Sequence, residues 1–169
     1  TFDVTGAEMH TCLLAIAPSP LQKGLIWTGS DDGYVQVTRD GGATWTRCSI
    51  KGLPEGAWVP QVRASSVNAG EAWVVVNNYR QGDFNPYLFH TKDFGKTWTN
   101  LIPVVPPKGM GHCLSVLQDP AAPSLLYLGT ETGLFVSANG GKNWQRWTGL
   151  PVMPVQDLAI QEREGDLVL

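Results

Sequence analysis

The chain has 169 residues, enough for one domain with a sizeable core, and contains 19 Gly, 12 Pro and 7 Trp with only 16% charged residues. This turn-rich and aromatic-rich composition favours many short strands joined by tight turns over long charged helices. The net charge of −3, without any run of Lys or Arg or any long apolar stretch, argues against nucleic-acid binding, a polybasic membrane anchor and a membrane-spanning helix.

Predicted strands follow one another in groups, because β-branched and aromatic runs alternate with Gly, Pro, Asn and Asp. The first group has strands at residues 13–16 and 25–29, the second at 62–67 and 72–76, and the third at 113–117 and 125–129. Residues 155–160 begin a fourth group. No helical periodicity longer than a turn or two interrupts these strands.

Each complete group ends in the same eight-residue motif, [S/T]-x-[D/N]-x-G-x-[T/N]-W, which we call a box. The boxes cover residues 38–45, 91–98 and 137–144. Their final Trp residues lie 53 (98 − 45) and 46 (144 − 98) residues apart. That spacing is the length of one four-stranded blade of a β-propeller, roughly 40–50 residues.

The repeat therefore predicts an all-β fold: a β-propeller segment of about three and a half four-stranded antiparallel blades, with strands A to D in each. We expect a single partial propeller over residues 1–169. The expected blades cover approximately residues 10–52, 58–102 and 111–150, and a fourth begins at 153–169.

The residue types of the box suit a tight hairpin between strands C and D. Its Gly supplies a positive φ at little cost, and its Asp or Asn can accept hydrogen bonds from turn N–H groups. Its Trp can pack between neighbouring blades. These features predict a structural role, without catalysis, for Thr38, Asp40, Gly42, Trp45, Thr91, Asp93, Gly95, Trp98, Ser137, Asn139, Gly141 and Trp144.

The boxes resemble the Asp-box, or BNR, repeat of sialidases, some xyloglucan-cleaving glycoside hydrolases, the sortilin ectodomain and photosystem II assembly-factor-like proteins. Residues 130–137 and 150–158 look most like large bacterial proteins labelled BNR glycosyl hydrolase or sortilin-like. The resemblance implies a ring of six or more blades, so this chain would be part of a larger propeller. An isolated piece would expose two apolar blade faces and would self-associate to complete a ring.

Propeller topology puts the boxes and the A–B turns on one face and the B–C turns and D–A connections on the other. The resembling families bind ligands on that second face. Its most informative segment is a predicted loop at residues 77–86, longer than the four-residue turns of the other copies. The candidate ligand-binding residues there are Asp31, Asp32, Trp58, Asn78, Tyr79, Arg80, Asp83 and Glu131, and the D–A connections also contain Lys108 and His112.

We expect a non-catalytic propeller segment for ligand recognition or scaffolding, with a carbohydrate or a protein as its ligand. Two alternatives stay open: a segment of a sialidase-like or xyloglucanase-like glycoside hydrolase whose catalytic residues lie largely elsewhere, and part of a sortilin-type peptide receptor. Asp31 or Asp32 with Asp83 is the only acid pair expected on adjacent blades.

No cofactor or metal site is expected, because His10, His90 and His112 do not cluster. We expect an exported protein, periplasmic or extracellular, rather than a cytoplasmic one. The three cysteines lack a C-x-x-C spacing and are predicted to be small buried hydrophobes. A Cys12–Cys113 bridge is the open alternative.

Overall fold

A computed structural model describes residues 12–161 and 166–168. Three antiparallel sheets each contain four strands that are consecutive along the chain. The first has β1 (Leu13–Pro18), β2 (Ile26–Ser30), β3 (Val35–Thr38) and β4 (Thr46–Arg47). The second has β5 (Trp58–Ala64), β6 (Ala72–Asn78), β7 (Asp83–Thr91) and β8 (Thr99–Asn100). The third has β9 (Cys113–Gln118), β10 (Leu126–Thr130), β11 (Gly133–Ser137) and β12 (Gln145–Arg146).

A further hairpin of β13 (Ala159–Gln161) and β14 (Asp166–Val168) follows the third sheet. The observed architecture confirms the predicted fold class, with each sheet corresponding to one blade. Among the described residues the only helical element is a 3-10 turn at Tyr79–Gln81. Within those same residues no helix is long and apolar enough to cross a bilayer.

Burial within the strands shows that consecutive blades cover one another. All seven residues of β6 are buried, because the second blade has a neighbour on each side. One apolar cluster joins the first and second blades around Trp27 and Val74, and another joins the second and third around Trp73 and Phe135. Such face-to-face packing is what holds the blades of a propeller together.

Hydrogen bonds within the three boxes follow one pattern. The side-chain oxygen at the third position accepts the backbone N–H four residues later, from Thr44 to Asp40, Thr97 to Asp93 and Asn143 to Asn139, each at 2.9 Å. The box glycines have positive φ values: Gly42 at 100°, Gly95 at 79° and Gly141 at 86°. Because these bonds span only four residues, the local sequence is sufficient to form each hairpin.

The box tryptophans differ in their surroundings. Trp98 meets Trp27 of the preceding blade edge-on, with ring centroids 6.2 Å apart. Trp144 donates its Nε1–H to the carbonyl of Leu101 in the blade before it, at 3.0 Å. Trp45 is 42% exposed. The expected packing between blades thus occurs at Trp98 and Trp144, whereas no described blade lies against Trp45.

The predicted long loop at residues 77–86 is wrong. Asn77 and Asn78 continue β6, β7 begins at Asp83, and the short turn that joins them ends at Gly82, which has a φ of 75°. Asp83 accepts from Asn78 Nδ2 across the hairpin at 3.3 Å and from Tyr87 Oη on its own strand at 2.7 Å. Asn and Asp thus lie in paired strands here, although their residue types favour turns.

The cysteines follow the prediction in part. Cys48 and Cys113 are buried, whereas Cys12 lies at the surface. The alternative of a Cys12–Cys113 bridge is not formed. Burial raises the pKa of both Cys48 and Cys113 to about 12, so these two thiols are protonated at neutral pH.

Candidate functional site: an aromatic groove between the second and third blades

Backbone hydrogen bonds show which turns share a face. Each box is tied to the A–B turn of its own blade, by Gly41 N–H to Gly24 O, Phe94 N–H to Gly70 O and Gly140 N–H to Ser124 O, at 2.8–2.9 Å. The boxes and the A–B turns therefore lie together, as the topology predicts. The B–C turns lie at the other end of the blades.

An open groove of about 790 Å³ lies at that other end, between the second and third blades. Four aromatic rings and several amide and carboxylate groups line it. The lining residues are Trp58, Pro60, Gln61, Asn77, Tyr79, Phe84, His112, Leu114, Glu131, Pro154, Gln156 and Asp157. Groups of this kind, a few polar atoms among rings, are typical of ligand sites.

The four rings form a continuous surface. Tyr79 meets Trp58 edge-on at 6.0 Å and stacks on His112 at 5.8 Å with an interplanar angle of 28°. Phe84 lies 6.5 Å from His112, tilted by 51°. Tyr79 is 40% and Phe84 57% exposed, so both offer ring surface to a ligand.

Arg80 supports this surface from the hairpin turn. Its guanidinium carbon lies 3.4 Å from the centroid of the Trp58 ring, a cation–π arrangement. Gln81, the next residue, donates its Nε2–H to the carbonyl of Glu55 at 2.9 Å. The turn of the second blade is thereby fixed against the strand that carries Trp58.

Two polar groups in the groove are notable. Asn77 is only 5% exposed, and its Oδ1 has no hydrogen-bond partner within the described structure. Glu131 Oε2 lies 3.0 Å from Nδ1 of His112. That nitrogen has no hydrogen-bond partner within the described structure, so the two side chains are close neighbours without a hydrogen bond.

The structure brings together Trp58, Tyr79 and Glu131 of the predicted site residues. Asn78 and Asp83 face each other within the hairpin. Burial raises the pKa of Asp83, but hydrogen bonds from Tyr87, from the N–H of Asn85 and from Asn78 outweigh it and hold that pKa below its usual value. These two residues therefore shape the hairpin.

Asp31 and Asp32 lie on the first blade, away from the aromatic rings. Asp31 accepts the N–H of Cys12 at 2.9 Å, and Asp32 accepts the hydroxyl of Ser30. Asp32 lines a separate groove of about 600 Å³ beside Tyr34. The proposed acid pair of Asp31 or Asp32 with Asp83 thus has no member among the residues that line the aromatic groove.

Gln61, Gln156 and Asp157 line the groove but were not among the candidate residues. Only the structure shows that the segments carrying them occupy equivalent positions. A Cβ added at Gly29 would meet Val59, and one added at Gly129 would meet Val155. Val59 and Val155 are therefore equivalent, and the polar residues that follow each of them face the groove.

No family model matches this chain. A probable oligoxyloglucan-reducing end-specific xyloglucanase of Neosartorya fischeri is 30% identical over 146 residues, which is 82% of this chain and 17% of that protein. The chain therefore spans about a sixth of the curated relative that it matches.

Two solved structures support the fold. A GH74 enzyme of Niastella koreensis aligns with a TM-score of 0.69 and 13% identity, over 89% of this chain and 24% of that one. YCF48 bound to D1 peptide aligns with a TM-score of 0.66 and 21% identity, over 89% and 46% respectively. Both are β-propellers, and the chain has that fold.

Proposed function

We propose that this chain is a non-catalytic ligand-recognition segment of a larger Asp-box propeller and that its aromatic groove binds a carbohydrate chain. The observation that supports this most directly is the row of rings Trp58, Tyr79, Phe84 and His112 beside the buried, unpartnered amide oxygen of Asn77.

A sugar matches both parts of this groove. The C–H face of a pyranose can pack against flat rings, and each such contact removes apolar surface from water. The Asn77 Oδ1 atom needs a donor, because an unsatisfied buried acceptor costs about 1–3 kcal/mol. Sugar hydroxyls are such donors. The likeness to a xyloglucanase points to the same class of ligand.

The boxes support membership of the Asp-box proteins, since three copies share residue types, turn hydrogen bonds and positive-φ glycines. A sialidase-like activity has no comparable support. Such a site needs arginines that converge on a substrate carboxylate, yet Arg63 donates to the carbonyls of Val116 and Leu158 at 3.3 and 3.0 Å. Arg63 thus ties neighbouring blades together.

Exposed apolar side chains on the first blade support the proposal that this chain is part of a larger ring of blades. Leu13 is 58% and Ile16 67% exposed on β1, and Trp45, just before β4 at the opposite edge of the same sheet, is also exposed. The equivalent Trp98 and Trp144 each pack against a preceding blade. We propose that another blade covers this side in the whole protein, with the division into approximately 10–52, 58–102, 111–150 and 153–169 as expected from the sequence.

A second candidate function is a part of a glycoside hydrolase whose catalytic acids lie largely in other blades. The xyloglucanase likeness and the presence of Glu131 and Asp157 in the groove favour it. Hydrolysis of xyloglucan by the whole protein, abolished by Glu131→Gln, would favour this alternative over simple recognition.

Calorimetric titration with xyloglucan oligosaccharides tests the proposal. We expect Tyr79→Ala to weaken binding about tenfold, because one stacking contact contributes roughly 1 kcal/mol or more. Trp147→Ala is the matched control, since Trp147 is 53% exposed and lies outside the groove lining. Equal affinity in parent and Tyr79 variant, or binding of a peptide library without any glycan binding, would contradict the proposal.

A further inference from the structure

The faces that one blade presents to the next share a three-residue pattern. An aromatic residue at the second position of strand B has one neighbour two positions earlier, just before the strand begins, and another directly opposite on strand C. The three sets are Trp27 with Leu25 and Val37, Trp73 with Glu71 and His90, and Tyr127 with Leu125 and Val136. Only the second blade has ionisable residues at positions that are apolar in the first and third.

Glu71 and His90, which we call the polar pair, are held in a closely packed environment. Glu71 is 7% exposed, and its Oε1 lies 2.8 Å from Nε2 of His90. The imidazole stacks on Trp73 with centroids 5.1 Å apart and planes 13° apart. Lys92 Nζ also lies near this carboxylate, 3.8 Å from Glu71 Oε1.

Burial raises the pKa of Glu71, but the hydrogen bond and charge of His90, with smaller contributions from Ser65 and Lys92, lower it below its usual value. Glu71 is therefore an anion within an apolar interface.

The polar pair lies beside Trp73, which packs against the third blade. Trp73 belongs to the apolar cluster that contains Phe135 and Trp144 of that blade. Next to Glu71, the hydroxyl of Ser65 donates to Oε1 of Gln118 on β9 at 2.7 Å. The face of the second blade that packs against the third thus differs in charge and hydrogen bonding from the face of the first blade that packs against the second.

Stability alone does not account for a buried carboxylate–imidazole pair at this place. Desolvation of such groups offsets their attraction, and replacement of buried pairs of this kind by apolar residues is often neutral or stabilising. The neighbouring blades show that Leu and Val fit these positions. Repeated blades have a different difficulty, because similar faces can pair in the wrong order during folding.

We propose that the polar pair is a specificity determinant. It allows this face of the second blade to pack only against the third blade. A wrong blade would bury Glu71 and His90 and would also lack Gln118, which accepts from the hydroxyl of Ser65 next to Glu71, so its packing would cost free energy. The pair thereby excludes wrong blade orders, both within one chain and between two chains, and it does so independently of any ligand in the groove.

The test compares Glu71→Leu, His90→Val and the double variant that combines them, which gives the second blade the residues of the first. Each single variant leaves one buried polar group unpaired, so we expect a lower urea midpoint. The double variant should regain the parent midpoint or exceed it. After refolding by dilution from urea, it should give at least about threefold more species of non-native size, measured by chromatography with light scattering.

Val116→Ala is the control, because Val116 is buried in the same interface and leaves the polar pair intact. It should lower the midpoint and keep the parent distribution of refolded species. Two results would overturn the proposal. One is a double variant that refolds to the same species as the parent. The other is a double variant that loses as much stability as the two single variants together, which would make the pair a stabilising contact only.

Discussion

The glycines of the first and second boxes provide a matched pair for testing how blades support one another. Gly42 and Gly95 occupy the same box position with φ values of 100° and 79°. A Cβ at Gly42 would have its nearest neighbour at 3.9 Å, on Trp45. A Cβ at Gly95 would lie 2.6 Å from Cys48 Sγ and 3.1 Å from the Trp27 ring.

Both Gly→Ala variants carry the penalty of a left-handed backbone, about 1–2 kcal/mol. Gly95→Ala also inserts a methyl group against a buried thiol and a buried ring, which adds about 1–3 kcal/mol. We therefore expect Gly42→Ala to lower the free energy of unfolding by about 1–2 kcal/mol and Gly95→Ala by about 2–5 kcal/mol.

Urea unfolding followed by circular dichroism measures both values. The slope with denaturant should stay constant, so that the midpoint reports stability alone. Equal losses in the two variants would refute the reasoning, because they would show that contact between the blades contributes nothing at the box.

Three further predictions concern charge, thiol reactivity and assembly. Hydrogen bonds from the Thr97 hydroxyl and N–H lower the pKa of Asp93 to about 2, so its stabilisation is present above its ordinary value near 3.8 and is lost as pH falls through about 2. Asp93→Asn should therefore be less stable than the parent at pH 7 and match it near pH 2 in acid unfolding curves; parallel curves would contradict this. Iodoacetamide at pH 8 should label Cys12 well before the buried Cys48 and Cys113, as peptide mass mapping would show, whereas equal labelling would place a buried thiol at the surface. The isolated chain should self-associate through its open blade faces, and a stable monomer in light scattering at micromolar concentration would contradict this expectation.

The aromatic groove was only partly predictable. Trp58, Tyr79 and Glu131 were found because their place in the repeat assigns them to one face. The repeat does not show which polar residues on that face form hydrogen bonds outside the groove. Asp83 accepts hydrogen bonds from Tyr87 and Asn78 within its own hairpin, and Asp31 accepts a backbone N–H.

The amino-acid sequence by itself determined the blade repeat, the box hairpins and the face on which they lie. The physical reason is that these features depend on contacts within a few residues, such as Asp40 with Thr44, and on the length of one blade. The tertiary structure alone decided that residues 77–86 form strands and a short turn, because strand pairing of Asn77 with Trp58 and of Asn78 with Asp83 outweighs the preference of these residue types for loops. It also decided that Tyr79 stacks on His112, since these two rings meet only when two blades are packed. Glu71 pairs with His90 because neighbouring strands of one blade bring together residues that are distant in sequence.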